Sequence, residues 1–312
     1  VRDTACFGGC RMMAAEQTPA WRGEMRYDEP MGRHNTWRTG GQARRFYQPA
    51  DLDDLCTFLG GLDPQEPLLW LGLGSNLLVR DGGFPGTVIS TFNVLAGLEW
   101  LDATVLRAGA GATCSKVART AAKAGMVGAE FLAGIPGTMG GALAMNAGAF
   151  GGETWNLVRA VETVDRQGHL QRRTPADFHI AYRTVEGPAG EWFVAAELQL
   201  QPGDAQAAQA GMRELLAHRN ATQPTRQPSC GSVFRNPPGD HAARLIESAG
   251  LKGRAIGGAC VSQKHANFII NTGTATAEDL ESLIGLVQET VERQHAIRLQ
   301  TEVRIVGERM QP

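Results

Sequence analysis

Gly134-Ile135-Pro136-Gly137-Thr138-Met139-Gly140-Gly141-Ala142-Leu143-Ala144-Met145-Asn146-Ala147-Gly148 is the stretch on which the fold turns. Pro136-Gly137 makes a rigid turn, and Met139, Leu143 and Met145 follow with helical spacing and small residues between them. A turn that opens into a helix aims free backbone N–H groups and the positive end of the dipole at one point, where an anion can sit. Glycines remove the Cβ atoms that would hold a phosphate away from the backbone. Two readings stay open from this stretch alone: an anion cradle, or a tightly packed Gly/Ala helix beneath a sheet.

A second glycine loop lies upstream. Leu68–Leu71 reads as a buried strand running into Gly72-Leu73-Gly74-Ser75-Asn76, after which Leu77-Leu78-Val79 resumes the strand. This is not a Rossmann turn, because Leu77 stands where the third glycine belongs and no helix opens here. A loop with Gly-Ser-Asn at its tip is either a nest of donors for phosphate oxygens or an ordinary hairpin turn.

Outward from these loops the periodicities alternate between strand and helix. Val1–Gly23 has no sustained period and reads as a flexible leader, and the pattern sharpens from Pro30. Ala43–Tyr47 is extended, and Asp51 caps a helix through Leu55, Phe58 and Leu59. Gly86–Ser90, Leu98–Asp102 and Val105–Ala108 are short strands, and Thr113 or Ser115 begins a helix to about Ala124. Val158–Asp165 and His169–Arg173 form a hairpin, then Ala176–Arg183 is a loop leading to the strand Trp192–Leu200. Pro202-Gly203-Asp204 reads as a domain joint before the helix Ala205–Arg219. Beyond it come an irregular Thr222–Pro228, a helix Ala242–Ala249 and a strand His265–Asn271. Thr276 then caps a helix striped by Leu280, Leu283, Ile284, Val287 and Val291, and a closing strand spans Ile297–Val306.

Composition narrows the class. The 312 residues are 43% hydrophobic with a formal net charge of −2, which allows ample core and argues against a broad nucleic-acid footprint. No run of about twenty apolar residues suggests a membrane span, and no export signal is evident. Six scattered cysteines fit a reducing, cytoplasmic compartment. Cys6 and Cys10 lack a second ligand pair, so no metal site is expected.

Six blocks then occur in order: Gly72-Leu73-Gly74-Ser75-Asn76-Leu77-Leu78; Gly134-Ile135-Pro136-Gly137 through Asn146-Ala147-Gly148; Tyr182-Arg183; Gly231-Ser232-Val233-Phe234-Arg235-Asn236-Pro237; His265-Ala266-Asn267-Phe268; and Glu302-Val303-Arg304. Together, from about Pro30 to Gly307, they resemble the UDP-N-acetylenolpyruvoylglucosamine reductase family of peptidoglycan synthesis. The short segment between Tyr182 and Ser232 resembles that family's compact subtype. Thr184-Val185-Glu186 stands where the family commonly carries a serine, so the resemblance does not fix the shape of that loop.

The resemblance implies an α+β chain: an FAD-binding module of the vanillyl-alcohol-oxidase (PCMH) type with two α+β subdomains, then a C-terminal α/β substrate-binding domain. The expected divisions are a leader over 1–23, the FAD module over 24–203 with its subdomains meeting near 92, and the C-terminal domain over 204–312. It further implies non-covalent FAD, NADPH as co-substrate and UDP-N-acetylglucosamine enolpyruvate as the species reduced, in a monomer or weak oligomer that binds neither nucleic acid nor membrane.

Reducing an enol ether places hydride on the vinyl carbon remote from the ether oxygen and a proton on the carbon bearing the carboxylate, where enolate-like charge accumulates. Such a site needs a hydride source, donors at the carboxylate and an acid on the far side. Arg183 is the expected carboxylate clamp, although a lone arginine is ordinarily a surface ion pair. Glu302, otherwise a solvated strand glutamate, can stabilise the enolate if a raised pKa keeps it protonated. Ser232 is the expected proton donor, with Arg235 or local N–H groups stabilising its alkoxide. No hydrolase triad accompanies it.

Gly72, Gly74, Ser75, Asn76 and Leu77 are expected on the FAD diphosphate. Gly134, Ile135, Pro136, Gly137, Thr138, Gly140, Gly141, Asn146 and Gly148 are expected along the rest of the dinucleotide. Tyr182, Arg226, Asn236 and Arg244 are the expected substrate contacts. The rival readings are another FAD oxidase or dehydrogenase of the same fold, which does not require Arg183, Ser232 and Glu302 together, and a non-catalytic flavin or UDP-sugar binder.

Overall fold

The computed structural model describes residues 21–310. Cys6, Cys10 and nearly all of the expected leader therefore lie outside the described residues.

The first unit is a four-stranded sheet. It contains β1 (Glu24–Pro30), β2 (Gln42–Gln48), β3 (Leu68–Leu71) and β5 (Phe84–Ser90) in the order β1-β2-β5-β3. β1 is antiparallel to β2, whereas β2–β5 and β3–β5 are parallel. The parallel pairs require crossovers, one of which is helix α1 (Leu52–Gly60), capped by Asp51 as its sequence predicts. β1 lies just upstream of the point where periodicity becomes readable. Its burial alternates poorly, so no period-2 signal marks it.

β4 (Leu77–Val79) corrects the expectation that it resumes β3 as a hairpin. It leaves that sheet and pairs in parallel with Arg304–Val306, near the C-terminal end of the described chain. The glycine loop Gly72–Asn76 is thus a junction between two sheets.

The second unit is an antiparallel sheet, in the order 170–173, 158–165, 191–199, β7 (Val105–Gly109) and β6 (Leu98–Trp100). Helices α2 (Cys114–Lys123) and α3 (Met139–Ala144) cover one face, with Val117, Ala121, Leu132, Met139 and Leu143 in one core. Helix α4 (Ala205–Thr222) buries Ala208 and Met212 in that same core. It therefore packs with this unit, and not with the C-terminal one that the Pro-Gly-Asp joint suggested. The joint is a turn, and the apolar face of α4 decides its partner.

The C-terminal unit packs α5 (Ala242–Ser248) and α6 (Ala277–His295) on a three-stranded antiparallel sheet of 255–256, 259–261 and 269–271. Only Ile269–Asn271 of the expected strand His265–Asn271 is strand; His265–Phe268 is a turn. The expected closing strand is likewise short. Arg304–Val306 is β, and Glu302 sits just before it. Trp37 and Leu78 from the first unit are buried in the C-terminal core, where Trp37 Nε1 donates to Ile269 O at 2.8 Å. Asp81 accepts from the amides of Ala277 and Glu278 at the start of α6, and Arg80 forks onto Glu281. The C-terminal unit is therefore fixed to the first one from behind, leaving a cleft on the side of the second.

Candidate active site

The two glycine loops touch. A Cβ on Gly72 would lie 2.2 Å from Thr138 Oγ1, and one on Gly74 (φ +62°) 2.1 Å from His34 O. Glycine at 74 is thus required both by the left-handed backbone and by the close approach. Thr138, 1% exposed, is the post on which the upstream loop rests.

Of the two readings left open for the α3 stretch, the anion cradle does not hold. That helix has six residues, and its first two amides are already used: Met139 N–H donates to Ala112 O and Gly140 N–H to Ala110 O, both at 2.8 Å. The free donors lie in the other loop. Among the described residues, the amides of Leu73, Gly74, Ser75 and Asn76 have no protein acceptor. Unpaired N–H groups converging around a left-handed turn make a phosphate nest.

A trench runs past both loops. A cavity of about 500 Å³ is lined by Leu69–Leu77, Ile135, Gly137, Thr138, Gly141, Met145, Arg183–Val185, Arg235 and Thr301–Arg304. One end continues into a cavity of about 290 Å³ beside Trp70 and Trp192, which also touches Gly140. The other end opens into one of about 450 Å³ bounded by Ser75, Asn76, Gly134–Pro136, Gly148, Arg183, Ser232 and Glu302. Arg183, Ser232 and Glu302, spread over 120 residues of sequence, therefore face one space.

Arg183 and Glu302 are held by long-range contacts, and Ser232 by a turn at the cavity wall. Arg183 sits at the tip of a hairpin, 179–181 with 184–186, where a plain loop was expected, and its φ is +54°. Its Nη2 donates to Gly148 O at 3.0 Å and its Nη1 reaches Asn146 O at 3.4 Å. Its Nε lies 3.3 Å from Glu302 Oε1, outside hydrogen-bond alignment. The Glu302 carbonyl accepts from Asn76 Nδ2 at 3.0 Å, and its amide donates to Val233 O at 2.8 Å. Burial raises the Glu302 pKa above the usual carboxylate range, and the positive charges of Arg183 and Arg235 only partly reverse this. Ser232 follows Gly231, whose φ of +71° turns the chain at the cavity wall.

Some expected contacts lie elsewhere. Asn146 is 1% exposed and fully engaged inside: Nδ2 donates to Glu153 Oε2, and Oδ1 accepts from Trp155 N–H. It supports the Arg183 hairpin and does not face the trench. Asn236 Oδ1 accepts from Ala242 N–H at the start of α5, and Arg244 pairs with Asp240 on the exposed side of that helix. Both make local capping and i,i+4 contacts. Tyr182 is exposed, its ring 5.3 Å from the Arg183 guanidinium. Arg226 lines a cavity of about 330 Å³ next to the Ser232 space, together with Arg38 and Arg219.

Arg219 and His265, to which the sequence assigned no role, also line this cleft, and so does Arg235, expected beside the Ser232 alkoxide. Arg219, in the last turn of α4, borders both the Ser232 space and the 330 Å³ cavity. The Nε of Arg235 is buried without a partner while its Nη1 donates to Thr184 Oγ1 at 3.0 Å. The Nδ1 of His265 is buried and unpartnered, and burial lowers that imidazole's pKa. Placement of α4 on the second unit brings Arg219 here, and no local pattern reports that. Cys230 is a bystander: its buried thiol donates to Leu77 O, and burial pushes its pKa up to about 11.

The trench fits an extended dinucleotide. A Cβ on Gly137 or Gly141 would meet protein atoms only at 3.5 and 3.9 Å, so bare backbone at these two positions serves what lies in the trench, not the packing beneath. Gly141→Ala is accordingly expected to stabilise the apoprotein by up to about 1 kcal/mol, by helix propensity, while weakening cofactor binding about tenfold. Thermal unfolding of apoprotein and flavin titration measure the two effects.

A trench floored by glycine, a nest of free amides and a buried carboxyl facing a guanidinium fit a flavin-dependent oxidoreductase. A family model described as FAD binding domain matches residues 43–174, and one described as UDP-N-acetylenolpyruvoylglucosamine reductase, C-terminal domain, matches 223–306. Relatives bearing that reductase name include one from Alkalilimnicola ehrlichii, 61% identical over 95% of this chain and 99% of its own length. Another, from Methylococcus capsulatus, is 60% identical over 96% and 98%. The crystal structure of the Thermus caldophilus reductase superposes with a TM-score of 0.76 at 32% identity, covering 91% of this chain and 98% of that one. The chain belongs to the UDP-N-acetylenolpyruvoylglucosamine reductase family and uses FAD.

Proposed function

We propose that the chain reduces the enolpyruvyl group of UDP-N-acetylglucosamine enolpyruvate to give UDP-N-acetylmuramate, with NADPH as the source of electrons and Arg183, Ser232 and Glu302 as the residues at the reacting group. The observation that carries this reading is the meeting of those three side chains on one space beside the trench. FAD, when bound, supplies the hydride. Arg183, held by the Asn146 and Gly148 carbonyls, presents its guanidinium to the substrate carboxylate. Neutral Glu302 donates a hydrogen bond to the developing enolate, and Ser232 delivers the proton to the carbon bearing the carboxylate. Arg219, at the outer wall of the same space, is placed for the diphosphate that both substrates carry.

The four described cysteines are free thiols, in keeping with work in the reducing cytoplasm. No described helix is long and apolar enough to cross a membrane, and no group of metal-ligating side chains occurs among the described residues.

Anaerobic reoxidation of the reduced holoenzyme tests the reading. The enolpyruvyl nucleotide sugar is expected to reoxidise the flavin, and phenols and alcohols are not; the reverse preference would favour another oxidase of the same fold. The pH profile tests Glu302. Its raised folded-state pKa means the useful neutral form is complete at low pH and is lost as pH rises through that pKa. The substrate-dependent step is therefore expected to slow on the alkaline side. Glu302→Gln, which keeps a neutral donor, should be slower and lack that limb. A retained limb in the Gln variant assigns the titration to another group.

A further inference from the structure

The 330 Å³ cavity next to the Ser232 space has an unusual charge pattern. It is lined by Arg38, Arg219 and Arg226 together with Asn35, Thr36 and Ser75, and by no carboxylate. Among the described residues, none of the three arginines lies within ion-pair distance of an acid, although the chain carries many paired arginines elsewhere. Arg219 is half-buried, and burial alone lowers its pKa; its one side-chain hydrogen bond goes to the neutral Gln223. Cations gathered without counter-charge are costly unless an anion joins them.

Position separates their roles. Arg219 stands where the cavity meets the Ser232 space, within reach of a diphosphate in either substrate. Arg38 and Arg226 border only the outer cavity, farther from Glu302 and more exposed. A ligand whose reacting end lies at Glu302 and whose diphosphate lies at Arg219 can engage these two only through a further anionic group. The nucleotide sugar carries none beyond its diphosphate, whereas NADPH carries a 2′-phosphate on its adenosine ribose.

We propose that Arg38 and Arg226 bind the 2′-phosphate of NADPH and so set its preference over NADH. This rests on the reading that NADPH and the nucleotide sugar take turns in one cleft. Arg38 has a backbone φ of +59°, a left-handed conformation that asparagine tolerates better than alanine, so Arg38→Asn is the suitable variant.

Rapid-mixing reduction of Arg38→Asn and Arg226→Ala holoenzymes tests the assignment, with NADPH and NADH compared. The apparent Kd for NADPH is expected to rise about tenfold to a hundredfold, and more weakly with added salt than in the parent enzyme. The Kd for NADH should stay within about twofold, and so should that for the nucleotide sugar in the reoxidation reaction. Equal weakening of NADPH and NADH, or weakening of the nucleotide sugar to the same degree, would overturn the proposal and assign the arginines to the shared diphosphate. Failure of the parent enzyme to be reoxidised by the nucleotide sugar is a separate result, which removes the shared-cleft reading instead.

Discussion

Ser232→Ala is expected to leave flavin reduction by NADPH nearly intact while slowing reoxidation by the enolpyruvyl nucleotide sugar by about a hundred- to ten-thousandfold or more. The asymmetry follows from what each half-reaction asks of the hydroxyl. Hydride arrival from a nicotinamide needs no proton from Ser232, whereas carbon protonation of the enolate does. The residue lies in a turn after Gly231, on the cavity wall and outside the core clusters, so losing one oxygen should not disturb the fold. Single-turnover absorbance of the flavin follows both steps in one sample. Equal slowing of the two would mean that the substitution has shifted the flavin or narrowed the cleft, and would contradict the assignment of a proton donor.

Arg183→Lys should also fail, by about a hundredfold or more in the same reoxidation step. The guanidinium has three directions of use at once: Nη2 on Gly148 O, Nη1 toward Asn146 O, and its Nε edge toward Glu302. An ammonium offers one point charge on a flexible stem and cannot both hold the carbonyls and present a planar fork. The backbone φ of +54° is unchanged by the swap, so the hairpin keeps whatever strain it already has. Near-normal turnover of the lysine variant would remove Arg183 from the site.

The parts of the site that were legible in the sequence are those written in local backbone chemistry. Glycine and proline mark turns because they alter the accessible φ and ψ of their own residue, so Gly72–Asn76 and Gly134–Gly137 were readable as loops. Asp51 and Thr276 were readable as helix caps, and Thr113 as one of two candidates, because capping spans only three or four residues. Asn146, Asn236 and Arg244 look the same in sequence as the residues that face the trench. Their partners Glu153, Ala242 and Asp240 engage them within ten residues, and whether a polar side chain is used locally or left free is a question of packing.

The sequence by itself determined the order of blocks, the turn and cap positions and, through its resemblance, the chemistry to look for. Only the tertiary structure decided that the free amides belong to the upstream loop, that α4 carries Arg219 to the cleft, and that three arginines share a cavity without an acid. Asn76 holds the Glu302 carbonyl across 226 residues, and β4 pairs with the strand just after Glu302. Such contacts form only when distant apolar faces bury each other, and that burial sums over the whole chain in a way that no short window of residues can encode.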